Sequence, residues 1–145
     1  MDRSFKTPKK VDLLESNEEV ALSCHNVSVL IDDKISKQFT PKNYEEGIYG
    51  LKDFSNNRSS LEFHTSSFVF RSEYYDYSLF EKGKGLWGDF ILLANMLKHG
   101  KIYYFLESMS VYRKHGGGVT AKKNSIEKDL SFYQKIKSFN PLSPQ

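Results

Sequence analysis

A single cysteine, Cys24, stands in a chain of 145 residues, which excludes an internal disulfide. It lies in an apolar run, where a thiol behaves as a small buried hydrophobe, and a reducing, cytoplasmic setting is the default expectation. No apolar run approaches the roughly 20 residues that span a bilayer. The opening MDRSFKTPKK is basic but has no apolar segment behind it, so it does not read as a signal peptide. Net charge is also scarce. A formal +3 suits phosphate-bearing ligands or acidic surfaces, and it is too weak to argue for nucleic acid. No RNP-like or helix-turn-helix pattern appears either, so no nucleic-acid partner is expected. The phosphate-cradling pattern GxxxxGK[ST] is missing. So is any Asp-x-Asp. Asp32-Asp33 is a poor substitute, because neighbouring side chains on an extended segment point to opposite faces.

What is present is concentrated in Leu86–Thr120, LWGDFILLANMLKHGKIYYFLESMSVYRKHGGGVT. Gly88-Asp89 opens an apolar segment that closes with Lys98, His99 and Gly100. An acidic N-cap, a basic last turn and a terminal glycine make a complete helix, Asp89–His99. A helix apolar nearly all round is a buried one. Ile102–Leu106 and Met109–Tyr112 have the composition and length of two strands. Tyr112-Arg113-Lys114-His115 then runs into Gly116–Gly118, where backbone can approach a ligand closely. Asp89 and His115 thus fall at element ends, where chemistry is commonly sited. Singly, each has an ordinary explanation: Asp89 as a cap, His115 as a solvated loop residue, the glycines as a loop.

Elsewhere, Pro8 at a first helical position with Thr7 as cap predicts a short helix, Pro8–Asn17. Val20–Ile31 reads as a strand with one clearly apolar face. Asp32-Asp33-Lys34 is a turn, and Ile35–Phe39 a returning strand. A short helix is expected near Tyr44–Gly47, followed by a loop. Phe63–Phe70 is expected as a strand entered through a polar His64-Thr65-Ser66-Ser67 turn. Glu73–Phe80 is expected as a short helix, Lys82–Gly88 as a glycine loop, and Ser125–Ser138 as a surface helix before a frayed tail. Trp87, beside Asp89, could stack on a sugar ring or simply anchor its loop.

The order of these motifs resembles something specific. Gly88-Asp89 at a helix start, Gly100-Lys101-Ile102 before a strand, and Glu107-x-Met109-Ser110-Val111-Tyr112-Arg113-x-His115-x-Gly117-Gly118 look like the C-terminal part of bacterial family-2 glycosyltransferases. Those are inverting enzymes with the GT-A nucleotide-sugar-binding fold. The Leu14-Glu15 helix end followed by a strand running to His25-Asn26 resembles the family too, as does the His64–Arg71 segment. The likeness runs to about Lys122 but covers only the second half of the family's catalytic domain, since the metal-binding Asp-x-Asp is absent.

The resemblance implies an α/β chain, a partial GT-A fold with a mixed sheet flanked by helices. Residues 1–122 would be the C-terminal part of that domain, and 123–145 a C-terminal helix and tail. It implies Asp89 as catalytic base, and His64, Ser66, Ser67, Arg71, Trp87, Gly88 and Arg113 as substrate-binding residues. It implies His115 as a ligand to a divalent metal, Mn or Mg, that this chain cannot complete. The partners would be a nucleotide-sugar donor, a glycan or lipid-linked acceptor, and a missing N-terminal half if the gene is split. Such a cell-envelope enzyme would be cytoplasmic or associate peripherally with the inner membrane face. A non-catalytic carbohydrate-binding or interaction module is the competing reading. Half a domain should also leave a sheet edge or face uncovered.

Overall fold

The structure is a computed structural model that describes residues 6–39, 44–56, 63–82 and 88–115. Among the described residues, four helices, α1 (Lys6–Ser16), α2 (Leu51–Asn56), α3 (Tyr77–Lys82) and α4 (Gly88–His99), accompany a five-stranded mixed sheet. Its strands are β1 (Val20–Ile31), β2 (Lys34–Gln38), β3 (Gly47–Tyr49), β4 (Val69–Phe70) and β5 (Lys101–Lys114). The expected α/β class with a mixed sheet and helices is therefore what forms. Among the described residues no helix is long and apolar enough to cross a membrane.

β1 is the axis of the sheet. On one edge it pairs with β5 in parallel, from Val20 opposite Lys101 to Ile31 opposite Lys114. Its other edge is shared by two antiparallel strands, β4 at Leu22–Ser23 and β2 at Ser28–Ile31. With both edges taken, β1 is buried from Val20 to Val29, its polar Ser23, His25, Asn26 and Ser28 included. β3 closes the far side by pairing antiparallel to β5 at Ile102–Tyr104. Asp32 and Asp33 both take positive φ, 48° and 60°. They form the two-residue link of the β1–β2 hairpin, a conformation that Asp tolerates better than most residues.

Three expectations need correcting. β5 is one strand of 14 residues rather than two. The polar Glu107–Ser108 step is absorbed by a register shift, where His25 faces Phe105 but Asn26 faces Ser108. The residues around Tyr44–Gly47 form no helix; β3 starts at Gly47 and α2 at Leu51. Tyr44 is buried in the aromatic core, so tertiary packing overrides local propensity there. The expected strand Phe63–Phe70 shrinks to Val69–Phe70, because Thr65–Ser67 closes into a 3₁₀ turn. Smaller shifts occur as well. α1 begins two residues before Pro8, which still falls in the first turn where its missing N–H costs nothing. The Glu73–Phe80 helix divides into a 3₁₀ turn, Ser72–Tyr74, and α3, and Asp76 Oδ1 caps α3 by accepting from Ser78 N at 2.9 Å. Trp87, the Gly116–Gly118 loop and the Ser125–Ser138 helix lie outside the described residues.

α4 lays Leu93 and Met96 into a core with Leu22, Cys24, Phe63 and Tyr104. Burial of each such side chain contributes about 1.5–3 kcal/mol. Burial also pushes the Cys24 thiol far above its ordinary range, leaving it inert. The helix ends at Gly100, whose N–H donates to Met96 O at 2.9 Å. A Cβ on Gly100 would stand 2.7 Å from Glu19 O, so glycine is needed where the chain passes directly into β5. The next residue locks that crossing: Lys101 N donates to Glu19 O at 2.8 Å.

Candidate functional site

The sheet and α4 meet around a pocket of about 400 Å³ lined by Phe39, Phe63, His64, Thr65, Asp89, Tyr112 and Lys114. Four elements supply these residues, so the pocket exists only in the folded chain. Asp89 sits in the first turn of α4 rather than at its cap, since the helix already includes Gly88. There a carboxylate is favoured by the helix dipole. Its Oδ1 accepts from Phe90 N at 3.0 Å and its Oδ2 from Thr65 Oγ1 at 3.0 Å. Each oxygen keeps a further lone pair for a ligand hydroxyl.

His64 caps the 3₁₀ turn that carries Thr65. Its Nδ1 accepts from Ser66 N at 3.2 Å and lies 2.8 Å from Ser66 Oγ. The ring meets Phe39 edge-on at 4.8 Å and Tyr112 at 4.6 Å. Half-burial holds the imidazole below its ordinary pKa, against the opposing pull of the Asp89 carboxylate. The folded chain therefore binds fewer protons than the unfolded one just below pH 6.5. Stability from neutral His64 is present in full above about pH 6.5 and is lost as pH falls below it. The melting temperature is expected to drop on acidification from pH 7 to 5. His64→Asn, which can still accept from Ser66 N without titrating, is expected to shrink that drop. Thermal melts of both proteins across this window check the sign.

The other expected site residues divide. Ser66 and Ser67 belong to the turn's own scaffold, Ser67 being buried with Oγ donating to His64 O at 2.7 Å. The buried Lys10 donates to Ser67 O as well, tying the turn to α1. Gly88 begins α4, with a Cβ there reaching only Phe80. His115 follows β5 and is exposed. Arg113 is not brought to the pocket. Its guanidinium pairs with Asp33 at 2.9 Å on the exposed hairpin. Strand alternation instead directs Tyr112 and Lys114 to the pocket, and parity read along Val111–Lys114 would have pointed to Lys114.

Arg71 is not brought there either. It donates through Nε to Val20 O at 3.0 Å, and through Nη2 to Asn17 O at 3.4 Å and to Leu14 O. Leu14 and Asn17 lie in and just after the last turn of α1, where helical partners run out, and Val20 opens β1. Arg71→Met is expected to cost roughly 2–4 kcal/mol, because buried carbonyls lose a charged donor. Urea denaturation reads this, while the pocket's ligand response should stay unchanged. Thr65, Phe39 and Phe63 were missed as pocket residues by sequence reasoning. Thr65 lay within the recognised turn, but nothing local marks Phe39 as its aromatic wall.

Among the described residues, no three His, Cys, Asp or Glu side chains come together in a group that could hold a metal ion. Comparison of the chain with protein-family models and with curated proteins finds no match.

Proposed function

We propose that this chain is the acceptor-binding half of an inverting, family-2-like glycosyltransferase of the GT-A type, with Asp89 as its general base. The observation that carries the reading is the Asp89 carboxylate itself. It is hydrogen-bonded through both oxygens and borders a pocket with aromatic walls, a polar imidazole and an ammonium group. Such an arrangement suits a neutral, hydroxyl-rich ligand.

In this reading the acceptor hydroxyl donates its hydrogen bond to Asp89. As the hydroxyl oxygen attacks the anomeric carbon of the donor sugar, its proton passes to the carboxylate. The bond from that carbon to the diphosphate oxygen breaks on the opposite side, inverting the centre. Thr65 Oγ1–H and Phe90 N–H hold the carboxylate in place, so little reorganisation accompanies proton transfer. Phe63 and Phe39 exclude water from the pocket's apolar side. His115 alone does not fit a metal. The ion and its Asp-x-Asp ligands belong to the N-terminal half, which would also bind the nucleotide, and the acceptor would be a glycan or lipid-linked glycan.

Calorimetry with UDP-sugars and manganese tests the division of labour. Residues 1–145 alone are expected to show no saturable, metal-dependent binding, whereas the chain joined to a β-α-β half bearing Asp-x-Asp should bind and transfer sugar. Tight metal-dependent binding by the isolated chain would overturn the half-domain reading.

A further inference from the structure

The backbone N–H of Ser66 can only donate, and it points at His64 Nδ1 from 3.2 Å. Nδ1 must therefore offer a lone pair, and Ser66 Oγ at 2.8 Å shares that same acceptor. A neutral imidazole carries one proton, so it resides on Nε2. The ring can neither flip nor change tautomer without breaking the cap of the 3₁₀ turn. Phe39 and Tyr112 hold it from two sides at 4.8 and 4.6 Å. His64 is thus a donor of fixed orientation in a ring that lines the pocket.

Among the described residues that line the pocket, Lys114 is the one lysine or arginine, and it can likewise only donate. Among the described residues it forms no ion pair, and strand pairing with Ile31 fixes its backbone. Asp89 can only accept. The pocket thereby offers two donors of different strength and one anionic acceptor within a single aromatic-walled volume. A hydroxyl on a pyranose donates once and accepts at its oxygen, so two neighbouring hydroxyls can satisfy all three groups together. The aromatic rings match the apolar C–H face of the same sugar. A phosphate would meet Asp89 at close range, and a purely apolar ligand would strand all three polar groups.

We infer that His64 and Lys114 are the specificity pair of this pocket, an oriented imidazole donor and a mobile ammonium donor beside the Asp89 acceptor that read neighbouring hydroxyls of one neutral pyranose ring. This rests on the proposed function only for the choice of a sugar; the donor and acceptor pattern is a property of the chain itself.

The test is heteronuclear NMR on residues 1–145. Long-range nitrogen–proton spectra of the histidine rings should show His64 as the Nε2–H tautomer at pH 7.5. A proton on Nδ1 overturns the inference. Methyl galactopyranoside, glucopyranoside and mannopyranoside are then titrated up to their solubility limits. At least one should move the resonances of Phe39, His64, Asp89, Tyr112 and Lys114 as a group. Its analogue lacking one of the two hydroxyls should bind about tenfold more weakly, the net worth of roughly one hydrogen bond. Lys114→Met should lose a similar factor, and His64→Phe somewhat less, because its donor is neutral. Absence of any shift, or equal binding by the deoxy sugar and by Lys114→Met, overturns the inference. The deoxy sugars keep the test decisive even where His64→Phe fails to fold. Failure of Asp89 as a base would leave these binding results intact, so the two claims fail separately.

Discussion

Asp89→Asn, introduced into the enzyme rebuilt with its N-terminal half, is expected to melt close to the parent while losing about 10²–10⁴-fold in turnover, the usual contribution of a positioned general base. The amide oxygen of Asn can still accept from Thr65 Oγ1 or from Phe90 N, the two donors that hold the carboxylate at 3.0 Å. Removing the negative charge from the first turn of α4 costs only about 0.3–1 kcal/mol. What Asn cannot do is take a proton from an acceptor hydroxyl. A purely structural Asp89 predicts the reverse pattern, with turnover retained in Asn and melting lowered mainly in Asp89→Ala. Measuring turnover and melting temperature on both variants distinguishes the two. Near-full turnover in Asp89→Asn would sink the base assignment.

Phe63→Ala is expected to be the most damaging single truncation. Phe63 is almost fully buried, and its ring packs 5.1 Å from both Tyr44 and Tyr104 while also forming the inner wall of the pocket. Truncation of a buried Phe to Ala costs roughly 3–5 kcal/mol, because the cavity left behind collapses only partly. That is a large share of a typical domain's total stability of about 5–15 kcal/mol. At roughly 4 °C per kcal/mol, the melting temperature should fall by about 12–20 °C. Phe63→Leu should recover more than half of the loss. It should also keep the sugar response that Phe63→Ala abolishes. A melting temperature within a few degrees of the parent for Phe63→Ala would mean that the aromatic cluster is not the core of the fold.

The elements read well where one physical signal dominates. β1 declared itself by one clearly apolar face, and α4 by its acidic start, basic last turn and terminal glycine. Asp89, expected at an element end, lines the pocket. An arginine at a strand end looks alike in sequence whether it lines an acceptor cleft or binds three backbone carbonyls, as Arg71 does. Only the position of α1 decides, and that is a tertiary fact. Arg113 lies one residue beyond the strand end expected at Tyr112, and such a strand carries no commitment about the residues beyond it. Extending β5 to Lys114 settles which of the two cations turns inward. Tyr44 misled because its polar neighbours suggested a short helix and loop, whereas the ring is drawn into the core with Phe63 and Tyr104. Phe39 could not be assigned at all, for it reaches His64 only after the β1–β2 hairpin has folded.

The parallel pairing of β1 with β5 joins residues far apart in sequence; Ser28 Oγ meets Ser108 Oγ at 2.7 Å across a separation of 80 residues. The hairpin with β2 needs only its two-residue turn and can close as soon as Gln38 has left the ribosome. The other edge of β1 must wait for β5 to be made. At about 5–20 residues per second, that is roughly 4–16 s of translation with an apolar strand open along one side. Loop closure over such a span makes this pairing slow even in the finished chain. Folding therefore completes from the C-terminal side, and the cellular risk to the newborn chain lies in the interval before β5 arrives.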